Sequence, residues 1–323
     1  MAHTEQKLIN GIITDVTVFD SPAQMIDDAA NKAKYFSASN IADNGDFRGA
    51  SVINQRGKTQ YTGPGYTIDR WKVNTGADSS VLVGTDGITV NIALAWGQFN
   101  QSIENFSKYI GKTLTFSVLV GTAVASGYQI ILRQSSASYV STTVTSGNTL
   151  YSVSLPITNV AEQLVVGVQA KTDAPGNIQL IAAKLEVGEK QTLAHQDASG
   201  NWIINDPLQD LRLETLKCYR YQTKLTAATV RYSAAQGSAN VFDFVIPIPV
   251  GMRATPTIAQ GTFVVDILDD AGIASGTDTG FTYSVISASS VSVAIRATKA
   301  AHGYDLQKVR LRVTEAVVLD ANN

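Results

Sequence analysis

The sequence predicts a mainly β protein with two antiparallel β-sandwich domains, preceded by a short N-terminal helical attachment segment. Apolar and polar residues alternate along many short runs, such as residues 114–120. Turn-forming pairs, including Asp86-Gly87 and Pro175-Gly176, separate these runs. Successive side chains of a strand point to opposite faces of a sheet, so the pattern predicts one buried row and one solvated row per strand. Short strands punctuated in this way favour sandwiches, and we predict a jelly-roll topology for the first one.

Residues 1–39 follow a different pattern and form the predicted attachment segment. Ser21 is a suitable N-cap and Pro22 a suitable first helical residue for a short helix. Met25, Ile26 and Ala29 then recur at helical spacing and place one apolar stripe on that helix. Such a stripe requires a partner, which could be the β domain, a second copy of the chain or another protein.

Three further segments follow from changes in composition and period. Residues 40–189 carry the first sandwich, and the polar stretch at 190–222 is a linker in which Asp206-Pro207 opens a second short helix. Alternation resumes in residues 223–323, which we predict to be a smaller C-terminal sandwich.

Composition excludes several classes of protein. The 323 residues include only 16% charged residues, with a net charge of −2 and a pI of about 5.9, and this lacks the basic footprint of a nucleic-acid-binding protein. Cys218 is the single cysteine, so no disulfide within the chain is possible. The first 20 residues lack the features of a signal peptide, and no apolar stretch reaches the ~20 residues of a membrane span. We therefore expect synthesis in the cytoplasm without a signal peptide, and no membrane insertion.

The sequence predicts no catalytic residue, no metal site and no cofactor. The three histidines, His3, His195 and His302, are far apart and lack metal-ligand spacing. No nucleophile elbow, phosphate loop or paired-cysteine motif occurs. Glu186 is a possible calcium ligand, although a carboxylate facing solvent from a strand is the favoured interpretation. Lys308, Arg310 and Arg312 alternate with apolar residues and indicate the solvated side of a strand.

Aromatic residues indicate where a glycan would bind. Sugars present apolar faces rimmed by hydroxyl groups, so their sites combine exposed aromatic rings with amides and hydroxyls. The first sandwich offers five candidates: Tyr61, Tyr66, Trp96, Tyr128 and Tyr139.

A structural corner is predicted at Asp69, Arg70 and Trp71. Here the guanidinium of Arg70 would lie on the indole face of Trp71, with Asp69 as its carboxylate partner. We expect these three residues to support the fold rather than to contact a ligand.

Four short motifs resemble those of bacteriophage tail-fibre and receptor-binding proteins, in the order found there. Residues 44–71 are similar to the opening of a carbohydrate-binding-module-like jelly roll, with Asn44-Gly45-Asp46-Phe47, Asn54-Gln55-Arg56-Gly57 and Tyr66-Thr67-Ile68-Asp69-Arg70-Trp71. Residues 183–188 resemble its closing strand, 213–221 its connector and 247–256 a stretch of the terminal sandwich. In such proteins a tryptophan often stands just before Gln-Arg-Gly. Here Ile53-Asn54 precedes Gln-Arg-Gly instead.

This resemblance implies a non-enzymatic virion protein, in which residues 1–39 would dock to other virion proteins. The leading hypothesis is a homotrimeric tail-fibre or spike subunit that binds a host surface glycan or receptor. A head-fibre, capsid-decoration or collar protein is an alternative, and a prophage-encoded carbohydrate-active enzyme or its binding module is another. If the protein binds a receptor, we expect specificity in three loops of the terminal sandwich: residues 232–240, 269–280 and 298–304.

Overall fold

The computed structural model confirms the predicted fold class, because the chain is mainly β and its strands pair in antiparallel sheets. It describes residues 3–9, 12–18, 39–205, 210–226, 235–238, 241–268, 274–290, 292–300, 309–313 and 316–321. The helix predicted near Ser21 lies outside these residues. Within the N-terminal segment, β1 (His3–Ile9) and β2 (Ile12–Val18) form an antiparallel hairpin.

Two six-stranded sheets form the first sandwich. Its strands are β3 (Gln60–Thr62), β4 (Gly65–Tyr66), β5 (Lys72–Val73), β6 (Ser80–Val83), β7 (Ile88–Asn91), β8 (Gln98–Ser102), β9 (Thr113–Val124), β10 (Tyr128–Arg133), β11 (Tyr139–Thr143), β12 (Thr149–Pro156), β13 (Val165–Ala170) and β14 (Asn177–Val187). One sheet, here called the front sheet, has the order β11-β10-β13-β8-β5-β4. The other, the back sheet, has the order β12-β9-β14-β7-β6-β3. Two 3₁₀ turns, Gly49–Ser51 and Phe106–Tyr109, lie between strands.

The core between these sheets centres on three aromatic rings. The Trp71 ring stacks on Phe99, with centroids 5.1 Å apart, and Phe47 meets Trp71 edge-on at 5.3 Å. All three side chains are almost completely buried. The indole Nε1 of Trp71 donates to the backbone carbonyls of Asp43 and Asn44, so the buried donor is satisfied.

A hairpin and a helix follow the first sandwich. The hairpin strands are β15 (Ala194–Gln196) and β16 (Trp202–Ile204), and the helix is α1 (Leu211–Tyr219). Asp210 caps α1, because its carboxylate accepts from the backbone N–H groups of the second and third helical residues. The sequence predicted a start at Asp206-Pro207, a pair that lies outside the described residues.

Three small sheets surround the second core. Their strands are β17 (Gln222–Leu225), β18 (Ala235–Ser238), β19 (Val241–Pro247), β20 (Thr257–Gln260), β21 (Phe263–Leu268), β22 (Ala274–Asp278), β23 (Thr282–Ala288), β24 (Ser292–Thr298), β25 (Val309–Val313) and β26 (Val317–Asp320). The sheet orders are β17-β26-β20, β18-β19-β24-β23 and β22-β21-β25. β18 and β22 fall within two of the three segments predicted to be specificity loops, so part of each is strand.

Arg310 and Arg312, predicted to be solvated, are partly exposed and also belong to an ion-pair cluster, while Lys308 lies outside the described residues. Asp266 on β21 is 1% exposed, and Arg310 and Arg312 of β25 both donate to its carboxylate, at 2.9 and 2.8 Å. These bonds hold the pKa of Asp266 below its usual value, although burial opposes them. The alternation in the sequence showed which side of β25 Arg310 and Arg312 occupy. It did not show that the two residues share Asp266 as a partner.

Polar contacts join the two sandwiches. Arg56 forms an ion pair with Asp320 at the end of β26, and Arg253 forms one with Glu104 at 2.9 Å. Tyr221, just after α1, donates to Glu104 at 2.6 Å. This joint therefore involves the first sandwich, the connecting segment and the terminal sandwich. Among the described residues, no helix is long and apolar enough to cross a membrane.

Candidate functional site

Two of the predicted aromatic residues converge on one depression of the front sheet. Trp96 is 62% exposed and Tyr139 is 52% exposed, and both line a depression of about 220 Å³. The rest of its lining consists of Gln98, Ile131, Arg133, Ser136 and Gln169. Two exposed rings beside amide, hydroxyl and guanidinium groups provide the composition expected of a sugar site.

Strand register explains how the amides reach this surface. On β10, Tyr128, Ile130 and Leu132 enter the core, so Gln129 and Arg133 occupy the outer face. Directly paired residues share a face, and Gln129 pairs with Gln169 of β13, which in turn pairs with Gln98 of β8. A row of three glutamines therefore crosses three adjacent strands.

Hydrogen bonds fix this glutamine row. Gln129 Nε2 donates to Gln169 Oε1 at 2.6 Å, and Gln169 Nε2 donates to the Trp96 carbonyl at 3.2 Å. Asn100 Nδ2 donates to Gln98 Oε1 at 3.0 Å. The amides are thus held in place before any ligand arrives, which reduces the entropy lost on binding.

Two polar atoms on this face lack partners among the described residues. They are Oδ1 of Asn100, a residue that is 3% exposed, and Nε of Arg133. Asn100 pairs with Gly167, which pairs with Ile131 in the depression, so it lies on the same face. A buried polar atom without a partner costs about 1–3 kcal/mol. Both atoms are themselves buried, and of the two residues only Arg133 lines the depression.

Trp96 holds its exposed position through an unusual backbone. Its φ of 64° lies in the left-handed region, which large side chains rarely adopt. The Trp96 N–H donates to the Ala170 carbonyl at 2.7 Å, and Gly97 follows where an added Cβ would come within 2.6 Å of Ile92. Strain that presents a hydrophobic ring to water is characteristic of binding sites.

The prediction is wrong for Tyr61 and Tyr128, which are buried and cannot serve as exposed platforms. Tyr128 occupies a core-facing position of β10, where its hydroxyl accepts from Ile92 N–H at 3.0 Å and donates to the Gly176 carbonyl at 2.7 Å. Tyr61 is the inward residue of β3 and bonds to Asn54. Burial raises the pKa of both phenols to about 12.

Tyr66 is partly buried and lies on the same outer face, at the edge opposite Tyr139. It pairs with Lys72, which pairs with Asn100. The Lys72 ammonium is 5.8 Å from the centre of the Tyr66 ring. Its role in binding stays a prediction.

The structural corner has different partners from those predicted. Asp69, Arg70 and Trp71 are all buried, yet the Arg70 guanidinium lies 3.5 Å from the ring centre of Tyr221 instead of on Trp71. Arg70 Nε donates to Asp43 at 3.0 Å. Asp69 accepts from the backbone and side-chain N–H groups of Gln55 and from Gln222, so it does not pair with Arg70.

Burial raises the pKa of Asp69 to about 6, even though these hydrogen bonds oppose the shift. This carboxyl is therefore sensitive to pH between about 4 and 7.

The favoured interpretation of Glu186 as a solvent-facing carboxylate is wrong. Glu186 and Lys184 are 1% and 0% exposed and form an ion pair at 3.5 Å on the outer face of the back sheet. Thr192 contacts both side chains through its N–H and hydroxyl groups. Within the described residues, no group of three or more His, Cys, Asp or Glu side chains could hold a metal ion.

Sequence reasoning missed the glutamine row and Arg133. Gln98 and Asn100 alternate with core residues on β8, as do Gln129 and Arg133 on β10. That alternation was available as a signal, since amides repeated on one side of neighbouring strands indicate a polar surface. Which strands are neighbours follows only from the sheet order.

No protein-family model and no curated protein matches this chain. The solved structures similar to it include three of family 22 carbohydrate-binding modules. The C-terminal module of Clostridium thermocellum Xyn10B is 17% identical over 36% of this chain and 85% of its own, with a TM-score of 0.28. A xylan-binding domain of the same family is 16% identical over 48% and 98%, with a TM-score of 0.29.

The tandem module from Paenibacillus barcinonensis Xyn10C is 8% identical over 89% of this chain and 98% of its own, with a TM-score of 0.28. With scores this low, the function of this chain has to be argued from its own residues.

Proposed function

We propose that the outer face of the front sheet binds a glycan without cleaving it. The convergence of exposed Trp96 and Tyr139 on one depression carries this proposal. A pyranose ring stacked on either aromatic would bring its hydroxyls to the glutamine row and to the guanidinium of Arg133, which lines the same depression.

The lining of this depression supports binding over hydrolysis. Glycoside cleavage requires two carboxylates on opposite sides of the scissile bond. The described residues that line the depression include Arg133 and two glutamines but no Asp or Glu. A guanidinium without a neighbouring carboxylate also tolerates sugars that carry an acidic group.

Affinity electrophoresis tests the proposal. Wild-type protein should migrate more slowly through native gels that contain one or more of xylan, galactan, dextran or bacterial capsular polysaccharides. Trp96→Ala and Tyr139→Ala should each remove most of this retardation, because each deletes a stacking surface. Leu82→Ala is the matched control, since Leu82 is 49% exposed on the back sheet. Retardation by none of these polysaccharides, or retardation unchanged in both aromatic variants, would contradict the proposal.

We further propose that the chain serves in a phage tail fibre or spike, as a homotrimer that adsorbs to a bacterial surface. The four ordered sequence motifs support this assignment. A multimer would also strengthen weak single-site binding, because linked sites act together. Antibody labelling of intact particles should place the protein on the tail. Labelling of the head or collar, or a monomer in sedimentation at micromolar concentration, would contradict this part of the proposal.

A further inference from the structure

The outer face of the back sheet is only partly covered. The hairpin of β15 and β16 packs on it through an apolar cluster in which Trp202 and Ile204 meet Leu119 and Ala182. Beside this cluster a second depression of about 500 Å³ remains, lined by residues of both the sheet and the hairpin. It lies on the other side of the core from Trp96, because the two sheets enclose that core.

The second depression combines an aromatic ring, an apolar floor and polar groups. Trp202 is partly exposed, and Leu119 and Ile181 supply apolar surface. The polar side chains around them are Asp86, Thr122, Asn148, Gln179 and Asn201. Aromatic surface ringed by amides and one carboxylate matches the two-sided character of a sugar ring.

Gln179 is held in a fixed position at this site. Its Oε1 accepts from the backbone N–H of Thr122 at 3.0 Å and from the Thr122 hydroxyl at 3.2 Å. Gly121 permits this arrangement, because an added Cβ there would come within 2.9 Å of the Gln179 Cγ. The Nε2 donor makes no hydrogen bond to a described residue, so it remains for a ligand.

We infer that this depression is a second saccharide site, specific for a neutral pyranose. Asp86 is exposed and can accept hydrogen bonds from sugar hydroxyls, and no Lys or Arg is among the described residues that line the depression. A carboxylate without a neighbouring cation repels acidic sugars. The front face, with Arg133, has the opposite charge preference. One chain would then hold two saccharides on opposite sides of a single sandwich.

Tryptophan fluorescence tests this site separately from the front face. The chain has three tryptophans, and Trp71 is 1% exposed, so in Trp96→Ala the responsive indole is Trp202. The probes are methyl glucoside, methyl galactoside, methyl mannoside and methyl xyloside, with galacturonate as the acidic comparison. At least one neutral pyranoside should give a saturable change in Trp96→Ala.

Asp86→Ala, added to Trp96→Ala, should weaken this binding about tenfold, the equivalent of one hydrogen bond to a charged group. Leu82→Ala in the same background should leave it unchanged. Absence of a saturable change with every neutral pyranoside would overturn the inference. An equal response to galacturonate would overturn its charge assignment. Neither result depends on Trp96. This test and the test of the proposed front-face function can therefore fail independently of one another.

Discussion

The two outer faces of the first sandwich differ in how far the chain covers their buried polar groups. On the back sheet, Lys184 and Glu186 pair with one another, and Thr192 of the following segment contacts both. On the front sheet, Asn100 Oδ1 and Arg133 Nε have no partner among the described residues. Ser117 Oγ, buried opposite Lys184 on the back sheet, likewise has no partner among the described residues, so the faces differ in their cover and not in the presence of unpaired atoms.

This difference indicates which face is completed by the chain and which by a ligand. Buried polar groups are nearly always satisfied in stable proteins, and exceptions call for a specific explanation. The back sheet shows that this fold can supply a partner by laying a short segment over a polar row. The front sheet instead presents preorganised amides and strained, exposed Trp96. We interpret this open, preorganised surface as the face that a sugar occupies.

The largest effect should come from the core that both faces share. Trp71→Ala removes a fully buried indole stacked on Phe99 and should destabilise the first sandwich by about 3–5 kcal/mol. Denaturant unfolding measures this loss, and Trp71→Phe should lose less. An unchanged unfolding midpoint with abolished polysaccharide binding would show instead that Trp71 belongs to a ligand surface.

A smaller loss of stability should follow from breaking the ion pair between Lys184 and Glu186 on the outer face of the back sheet. Glu186→Ala leaves Lys184 buried without its carboxylate and should cost about 3 kcal/mol. Burial lowers the pKa of Lys184 and Glu186 opposes that shift, so the variant should also make this lysine easier to deprotonate. The double variant Lys184→Met/Glu186→Leu is the control, because replacing both charges by apolar groups is expected to cost less. A double variant less stable than Glu186→Ala would contradict this account. The ion pair would then not be what holds the segment around Thr192 on the sheet.

Asp69, at the joint between the sandwiches, is a buried carboxyl whose protonation depends on pH. Its pKa is raised to about 6 from an ordinary value of 3.8, so between these values the folded chain binds a proton that the unfolded chain does not. Stability should therefore fall as pH rises from about 4 to 6, by up to about 3 kcal/mol.

The comparison for this pH dependence is Asp69→Asn, which removes the titrating group and keeps the shape. Unfolding free energies of both proteins measured from pH 4 to pH 7 should differ in slope in this window. Parallel curves would contradict the raised pKa. Arg56 and Asp320 face the same joint and are kept in the variant, so Asp69 is the one carboxyl there that the substitution changes.

The smallest change in stability should come from the outer face of the front sheet. Arg133→Met removes an unpartnered Nε and should alter the unfolding free energy by no more than about 1 kcal/mol, in either direction. Polysaccharide affinity should nevertheless fall about tenfold, since a charged hydrogen-bond donor is lost. Affinity electrophoresis and denaturant unfolding of one preparation give both values. A large loss of stability without loss of affinity would make Arg133 a structural residue like Lys184.

Alternation in the sequence was sufficient to predict the fold class and several strands, among them β9, β12, β13, β21, β24 and β25. Trp96 and Tyr139 were nominated only as aromatic residues of the first sandwich, and the pattern did not distinguish them from buried Tyr61 and Tyr128. It failed for Tyr128, which follows Gly127 and begins a strand whose inward side is set only by its pairing with β13. An aromatic residue at the start of a strand fits either face until its neighbours are known.

Contacts distant in sequence account for the remaining errors. Arg70 was assigned to its neighbour Trp71, yet it lies over Tyr221, which is about 150 residues further along the chain. Glu186 was assigned to solvent because the covering segment at Thr192 carries no pattern that indicates where it packs. The glutamine row likewise depends on three strands that are not consecutive in the chain.

The location of a bound saccharide tests the central claim most directly. A crystal structure of the protein with an oligosaccharide, cut from a polysaccharide that retards it in native gels, would show this position. We predict a sugar ring stacked on Trp96 or Tyr139, with hydroxyls or an acidic group bonded to Arg133. A saccharide bound only to the terminal sandwich, with the outer face of the front sheet empty, would contradict the account.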